Sequence, residues 1–204
     1  MAQQILSPGD LVDFHDCFLA AWSGGSLAEG TEPTCATAPG LPTPVVDNHR
    51  SNILLWLAED QARRPDRPAE FIARKKREID RDNQRRNNAV EAIDTLLLSS
   101  FAPGPAARLH SETAGAMVDR LSILALKIFH MTQQTQRGDA HAEHLAACRA
   151  KLHILLEQRA DLAACLAVLL DDIACGRAYF KQYRQFKMYN DPALNPWLLG
   201  QAYG

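Results

Sequence analysis

The sequence has no C-x-x-C pair, and its five cysteines (Cys17, Cys35, Cys148, Cys165 and Cys175) are odd in number. That pattern excludes a thiolate zinc knuckle and argues for reduced thiols in a cytosol rather than a disulfide framework. No apolar run approaches the length of a membrane span; the longest covers 162–170. The opening MAQQILSPGD has no basic region followed by an apolar stretch, so no signal peptide is expected. A net charge of −2 gives no global field toward nucleic acid or an anionic membrane. No glycine-rich phosphate loop, Gly-x-Ser-x-Gly elbow or Cys/His nucleophile arrangement occurs, so any chemistry would be acid–base or electrostatic rather than covalent. The absence of a Glu-x-x-His pair argues against a ferritin-like di-metal bundle. His141, His144 and His153 read as solvated, and no metal site is expected. The cofactor, if there is one, is not indicated.

What the sequence does contain is apolar content sufficient for a core, 47% of 204 residues, arranged with helical periodicity. The expected fold is an all-α, single-domain antiparallel bundle of about five or six helices. Its parts are an N-terminal helix in 1–22, a flexible Gly/Pro-rich loop over 23–46, and a helical bundle domain over 47–204. The first helix runs over Pro8–Trp22, with a proline suited to its first turn and Leu11, Phe14, Phe18 and Ala21 or Trp22 as its buried face. His15 beside Asp16 reads as a surface pair. The second runs from a cap at Asp47 or Asn48 to about Arg64, with Leu54, Leu57 and Ala58 marking its apolar side. The third covers Ala69 to about Ser99 with the seam Ile72, Ile79, Val90, Ile93 and Leu97. The fourth, Ser111 to Met131, begins at a serine cap, with Met117, Leu121, Leu124, Ile128 and Met131 sharing its apolar face. A long fifth helix covers His141–Cys175, with room for one break and Gly176 as its terminator. A last helix is expected over Arg177–Asn190, with Arg177, Lys181 and Arg184 on one face and Tyr179, Tyr183 and Phe186 on the other. The segment 101–110 is expected to be a loop.

Candidate site residues come from polar stripes beside these seams. At about 100° per residue, Asp80, Asn83, Asn87, Glu91 and Asp94 fall on one strip of the third helix. A strip of short carboxylates and carboxamides lacks the mixed Lys and Glu of an ordinary wet surface. Asn52, Trp56, Glu59, Asp60 and Arg63 share a side of the second helix. Glu112, Asp119, Arg120, Lys127 and His130 share an arc of the fourth. Such stripes fit either an inter-helix hydrogen-bond layer or a polar ligand site. On the site reading, Glu91 and Glu112 are acid–base groups and His130 the proton carrier. Arg120 and Lys127 would hold an anion. A single shared site requires Asp60, Glu91, Asp119 and Lys127 to converge.

The strings NHRSNILLWLAEDQAR (48–63), EIDRDNQRRNNAVEAID (78–94), ETAGAMVDRLSILALKIFHM (112–131), EQRADL (157–162) and YRQFKMYNDPALNP (183–196), in that order, resemble the bacterial domain of unknown function family numbered 4254. The resemblance implies an all-helical fold and no established activity. It adds Arg86, Gln158, Asp161, Gln185, Lys187, Tyr189, Asn190 and Asp191 to the motif positions, and Lys187, Tyr189, Asn190 and Asp191 to the ligand-binding candidates. The proximity of family members to sugar-transferring enzymes implies, by association, cell-surface polysaccharide metabolism. Three functions are therefore carried forward. One is binding of a small polar anionic ligand, phosphorylated or a nucleotide sugar, by a cytoplasmic protein. Another is a structural or accessory role beside a glycosyltransferase partner. The third is a chorismate-mutase-like helical enzyme, suggested faintly by KREIDRDNQ (76–84). Whether the protein is an enzyme stays open at this point. Neither nucleic acid nor a membrane span is expected.

Overall fold

A computed structural model describes residues 6–22, 40–183 and 193–200. The chain forms an all-α single domain with five α-helices among the described residues: α1 Pro8–Trp22, α2 Thr43–Ala62, α3 Ala69–Leu98, α4 Ala114–Thr135 and α5 Ala142–Ala174. A short 3-10 turn covers Pro196–Leu199. None of these helices is long and apolar enough to cross a membrane.

The core is organised around α4, which packs against all four other helices. Its sequence allows this because apolar or small residues cover most of its circumference: Ala114, Met117, Val118, Leu121, Leu124, Ala125, Leu126 and Ile128 are all buried. Each fully buried leucine contributes about 1.5–3 kcal/mol relative to exposure. Leu11, Phe14, Phe18, Leu19 and Trp22 of α1 close one side of the core, and Leu162, Leu166, Leu169, Leu170 and Ile173 of α5 close another. α2 and α3 pack extensively on each other across the turn at 63–68, and α4 and α5 do the same.

Several expectations need correction. α2 begins at Thr43, inside the span expected to be loop, because Pro44 suits a first helical turn. The first turn of α4 is capped by Thr113, whose hydroxyl accepts from the Ala116 N–H at 3.1 Å, and not by Ser111. α5 is continuous. The expected helix after Gly176 does not form where the chain is described. Gly176 takes φ +69°, a left-handed conformation that ends α5 and turns the chain. Ala178–Phe180 (β2) then pairs in parallel with Arg108–His110 (β1), inside the segment expected to be loop. The burial of Ala178 and Phe180 on either side of a half-buried Tyr179 has the two-residue period of a strand. Arg177 therefore lies in the turn, paired with Asp171 and Asp172, rather than on a basic helix face. Two further expectations fail near α1. His15 is buried, not at the surface, while its neighbour Asp16 is exposed and pairs with Arg159 of α5 at 2.6 Å. Cys17 is disulfide-bonded, whereas Cys148, Cys165 and Cys175 are free thiols.

Candidate functional site

The side of α2 that faces α4 is polar. Leu54 and Leu57, expected on the apolar side, are only half-buried, and the fully buried positions include Asn48, His49, Ser51 and Asn52. The reason is a set of hydrogen bonds to α4. Asn48 and Asn52 each donate from Nδ2 to Asp119 Oδ1 at 2.8 Å. Asn52 Nδ2 also approaches Ser122 Oγ at 3.0 Å, and His49 Nδ1 lies 2.8 Å from the same hydroxyl. Each such pair offsets part of the cost of burying these groups. Asp119 is thus pulled inward, away from its neighbours on the charged arc.

Asp119 presents its second oxygen to α3. Arg86 Nε lies 3.8 Å from Asp119 Oδ2, too far for a hydrogen bond, and that buried nitrogen has no hydrogen-bond partner among the described residues. Arg86 Nη2 reaches only Asn87 Oδ1, at 3.4 Å. The guanidinium sits at the junction of two grooves, one of about 440 Å³ between α3 and α4 and one of about 350 Å³ between α2, α3 and α4.

The α3/α4 groove gathers Arg86, Asn87, Glu91, Asp94, Glu112, Asp119 and Arg120, with Gln182 and Tyr183 at its edge. Gln182 is held there by donating from Nε2 to the Glu91 carbonyl at 2.7 Å. Within the groove the charged groups differ in availability. Arg120 Nη1 is paired with Glu112 at 2.7 Å to Oε1 and 3.0 Å to Oε2. Asp94 is buried against the start of α4, where Oδ1 accepts from the Gly115 N–H at 2.7 Å. Burial raises the Asp94 pKa, the hydrogen bonds from Thr113 and Gly115 oppose that rise, and the nearby Glu91 charge adds to it. The Glu91 carboxylate makes no hydrogen bond or ion pair with any described residue.

The remaining sequence-derived candidates are dispersed. Asn52, Trp56, Glu59, Asp60 and Arg63 line the smaller groove, where Arg63 pairs with Glu59 at 2.9 Å and both lie toward solvent. His130 lines neither polar groove. It stacks on Trp56, with ring centroids 4.6 Å apart and planes within 7°, at an apolar cavity of about 420 Å³ shared with Met131, Ile154 and Leu155. Burial lowers its pKa, against weaker raising contributions from Gln133 and Asp60. Lys127 is exposed and borders this cavity and a groove between α4 and α5 that also holds Gln158 and Asp161. Asp80 is exposed and Asn83 half-buried, and neither lines any of these grooves. Lys187, Tyr189, Asn190, Asp191 and Gln185 lie outside the described residues. Glu91 and Asp119 therefore share one groove, Asp60 lines its neighbour and Lys127 a third; the four do not converge. Glu91 and Glu112 are brought together, but His130 is not with them. Among the described residues no group of three or more His, Cys, Asp or Glu side chains is placed to hold a metal ion.

Sequence reasoning missed the buried polar residues that position these groups. Asn48 and His49 sit in the polar run at 47–52, Ser122 is a single polar residue between Leu121 and Ile123, and only the packing of α2 on α4 brings these side chains together. The His15 and His49 rings lie 4.4 Å apart in the core, with Phe14 and Phe18 against His49. Burial pushes the His49 pKa down to about 3 and lowers that of His15, which also feels the charges of His49 and Arg159. The family model described as "Protein of unknown function (DUF4254)" matches residues 43–182, and so spans α2 through β2 and, apart from Tyr183, the lining of every groove described above. No curated protein and no solved structure matches the chain.

Proposed function

We propose that this chain, which belongs to the DUF4254 family of proteins of unknown function, binds a small sugar-containing ligand that carries an anionic group, such as a sugar phosphate or nucleotide sugar, in the groove between α3 and α4. The observation that carries this reading is the coexistence in that groove of Arg86 and Glu91, an under-paired cation and a carboxylate with no hydrogen bond or ion pair among the described residues. A guanidinium only partly engaged by its own protein can make paired, charge-assisted contacts with a phosphate or carboxylate. Carboxylates accept hydrogen bonds from sugar hydroxyls. Glu91 supplies one such acceptor, and Glu112, held by Arg120, a second at the rim. Four carboxylates against two arginines make the groove acidic as a whole, which favours a ligand rich in hydroxyl donors over a compact polyanion. Its volume of about 440 Å³ falls in the range of small-molecule sites. Glu91 is also the group suited to accept a hydroxyl proton if the bound ligand reacts.

Calorimetric titration with glucose 1-phosphate, glucose and inorganic phosphate tests the reading. Glucose 1-phosphate should bind about tenfold or more tighter than either part, and Arg86→Ala and Glu91→Gln should each weaken it by about tenfold, the worth of one charged contact of roughly 1.4 kcal/mol. Equal affinity for the whole and its parts, or both variants binding as well as the parent chain, would count against the proposal.

A further inference from the structure

Another side of α3 carries charge of the other sign. Arg81, Arg85 and Asn88 lie roughly a third of a turn around the helix from the acidic strip, and they line a groove of about 610 Å³ between α2 and α3 together with Arg50 of α2. Two of these arginines are held by a buried carboxylate. Asp82 Oδ1 accepts from Arg81 Nε at 3.2 Å and from Arg85 Nη1 at 3.3 Å. Arg50 is half-buried and makes no hydrogen bond or ion pair with any described residue. The Asn88 carbonyl oxygen accepts from Gln84 Nε2 at 2.8 Å, which leaves the Asn88 amide hydrogens as donors. Asp47 is the one carboxylate among the described lining residues, and Ser51 and Ala92 keep the wall between the charged groups short. Three guanidinium groups therefore outweigh Asp47 and Asp82 together. Nothing in the acidic α3/α4 groove has this balance.

We infer that this basic groove is a second ligand site, for the phosphate group of a phosphorylated small molecule or of a lipid headgroup. The planar fork of each guanidinium offers paired N–H donors at the spacing of phosphate oxygens. Arg50 supplies the uncommitted fork, and Asp82 fixes the directions of the other two. The site is separate from the proposed sugar groove and does not depend on it.

Inorganic pyrophosphate, titrated into the full chain at low salt, is the probe. Saturable binding is expected that weakens about tenfold or more in Arg50→Ala, weakens likewise in Ala92→Met (which fills the groove without removing charge), falls as salt is added, and is unchanged in Arg86→Ala. Sedimentation with vesicles of phosphatidylglycerol or of phosphatidylcholine separates the two sources of phosphate: retention on the first alone, lost in Arg50→Ala, assigns the group to a headgroup. Arg50 contributes no pair to the fold, so an unchanged melting curve for Arg50→Ala is expected and keeps the comparison meaningful. The inference is overturned if pyrophosphate does not bind and neither vesicle retains the protein. It is equally overturned if Arg86→Ala abolishes pyrophosphate binding while Arg50→Ala preserves it, because the anion then belongs to the other groove.

Discussion

Asp94 of α3 acts as a cross-helix cap for Gly115 of α4: Asp94 Oδ1 accepts the Gly115 backbone N–H at 2.7 Å. The carboxylate thereby meets the positive end of the α4 dipole, and the contact fixes how the two walls of the acidic groove approach each other. Gly115 makes the approach possible. A Cβ at that position would lie 2.5 Å from the Val90 carbonyl oxygen and 2.8 Å from Asp94 Oδ1.

Gly115→Ala should consequently destabilise the fold by about 1–3 kcal/mol, because the nearer obstacle is backbone that cannot swing aside. Asp94→Ala should cost about 1–2 kcal/mol by leaving an N-terminal N–H unpaired. Asp94→Asn, which keeps the acceptor and removes a desolvated charge, should cost less. Urea denaturation of the three variants checks the order; Asp94→Asn more destabilising than Asp94→Ala would contradict it.

The His15–His49 pair predicts acid sensitivity. Both folded-state pKa values lie below the ordinary histidine value of 6.5, that of His49 at about 3. The unfolded chain therefore binds more protons between these limits. Stability is complete above the unfolded pKa and declines as pH falls from about 6.5 toward 3. His49, buried in its neutral form, contributes a slope of about 1.4 kcal/mol per pH unit in that window, and the lowered pKa of His15 adds to the decline in the same direction. Urea melts at pH 7.5, 6 and 5 should show the decline, and His49→Gln should flatten it. A parallel decline in parent and variant would place the acid sensitivity elsewhere.

Asn52→Leu should be more damaging than its similar volume suggests. It removes one of the two amides that hold Asp119 Oδ1 and one neighbour of Ser122. A largely buried carboxylate stripped of a donor costs about 1–3 kcal/mol, with solvent reach bringing Asp119 toward the lower end. Combining it with Asp119→Asn should recover part of the loss, since the acceptor no longer carries charge. A double mutant whose loss equals the sum of the two singles would show that the residues do not act as one network.

The Glu112–Arg120 pair should behave in the opposite manner. The Arg120 side chain is 56% exposed, so solvent screens the interaction. Arg120→Ala should shift thermal stability by no more than about 1 kcal/mol, yet loosen Glu112 and weaken glucose 1-phosphate at the groove rim. Measuring Tm and affinity on the same sample separates these effects. A large loss of Tm would show that the pair supports the fold.

The helices were legible in the sequence where a long apolar repeat coincides with terminating residues. α1, α3, α4 and α5 follow the spacings of their leucines, isoleucines and aromatics closely. The acidic strip of α3 was also legible, because Asn87, Glu91 and Asp94 keep helical spacing and do meet α4 at one groove. Asp80 belongs to the same strip but falls beyond the described grooves, since periodicity specifies the side of a helix and not which part of its length a partner covers. β1 and β2 were illegible. Three residues carry too little pattern, and the pairing joins segments about seventy positions apart.

What the sequence by itself determined is the all-α class, the approximate extents of α1, α3, α4 and α5, and the family membership. These rest on local periodicity and on strings of neighbouring residues. Tertiary structure alone decided how the charges are sorted. It turned the polar side of α2 inward, because Asp119 and Ser122 of α4 pair with Asn48 Nδ2, Asn52 Nδ2 and His49 Nδ1 there. It left Arg86 and Glu91 in one groove without pairing them, and set Arg50, Arg81 and Arg85 together on another side of α3. The strength of an ionic or hydrogen-bonding group depends on which distant residues approach it and how much water they exclude, and neither is written in local spacing.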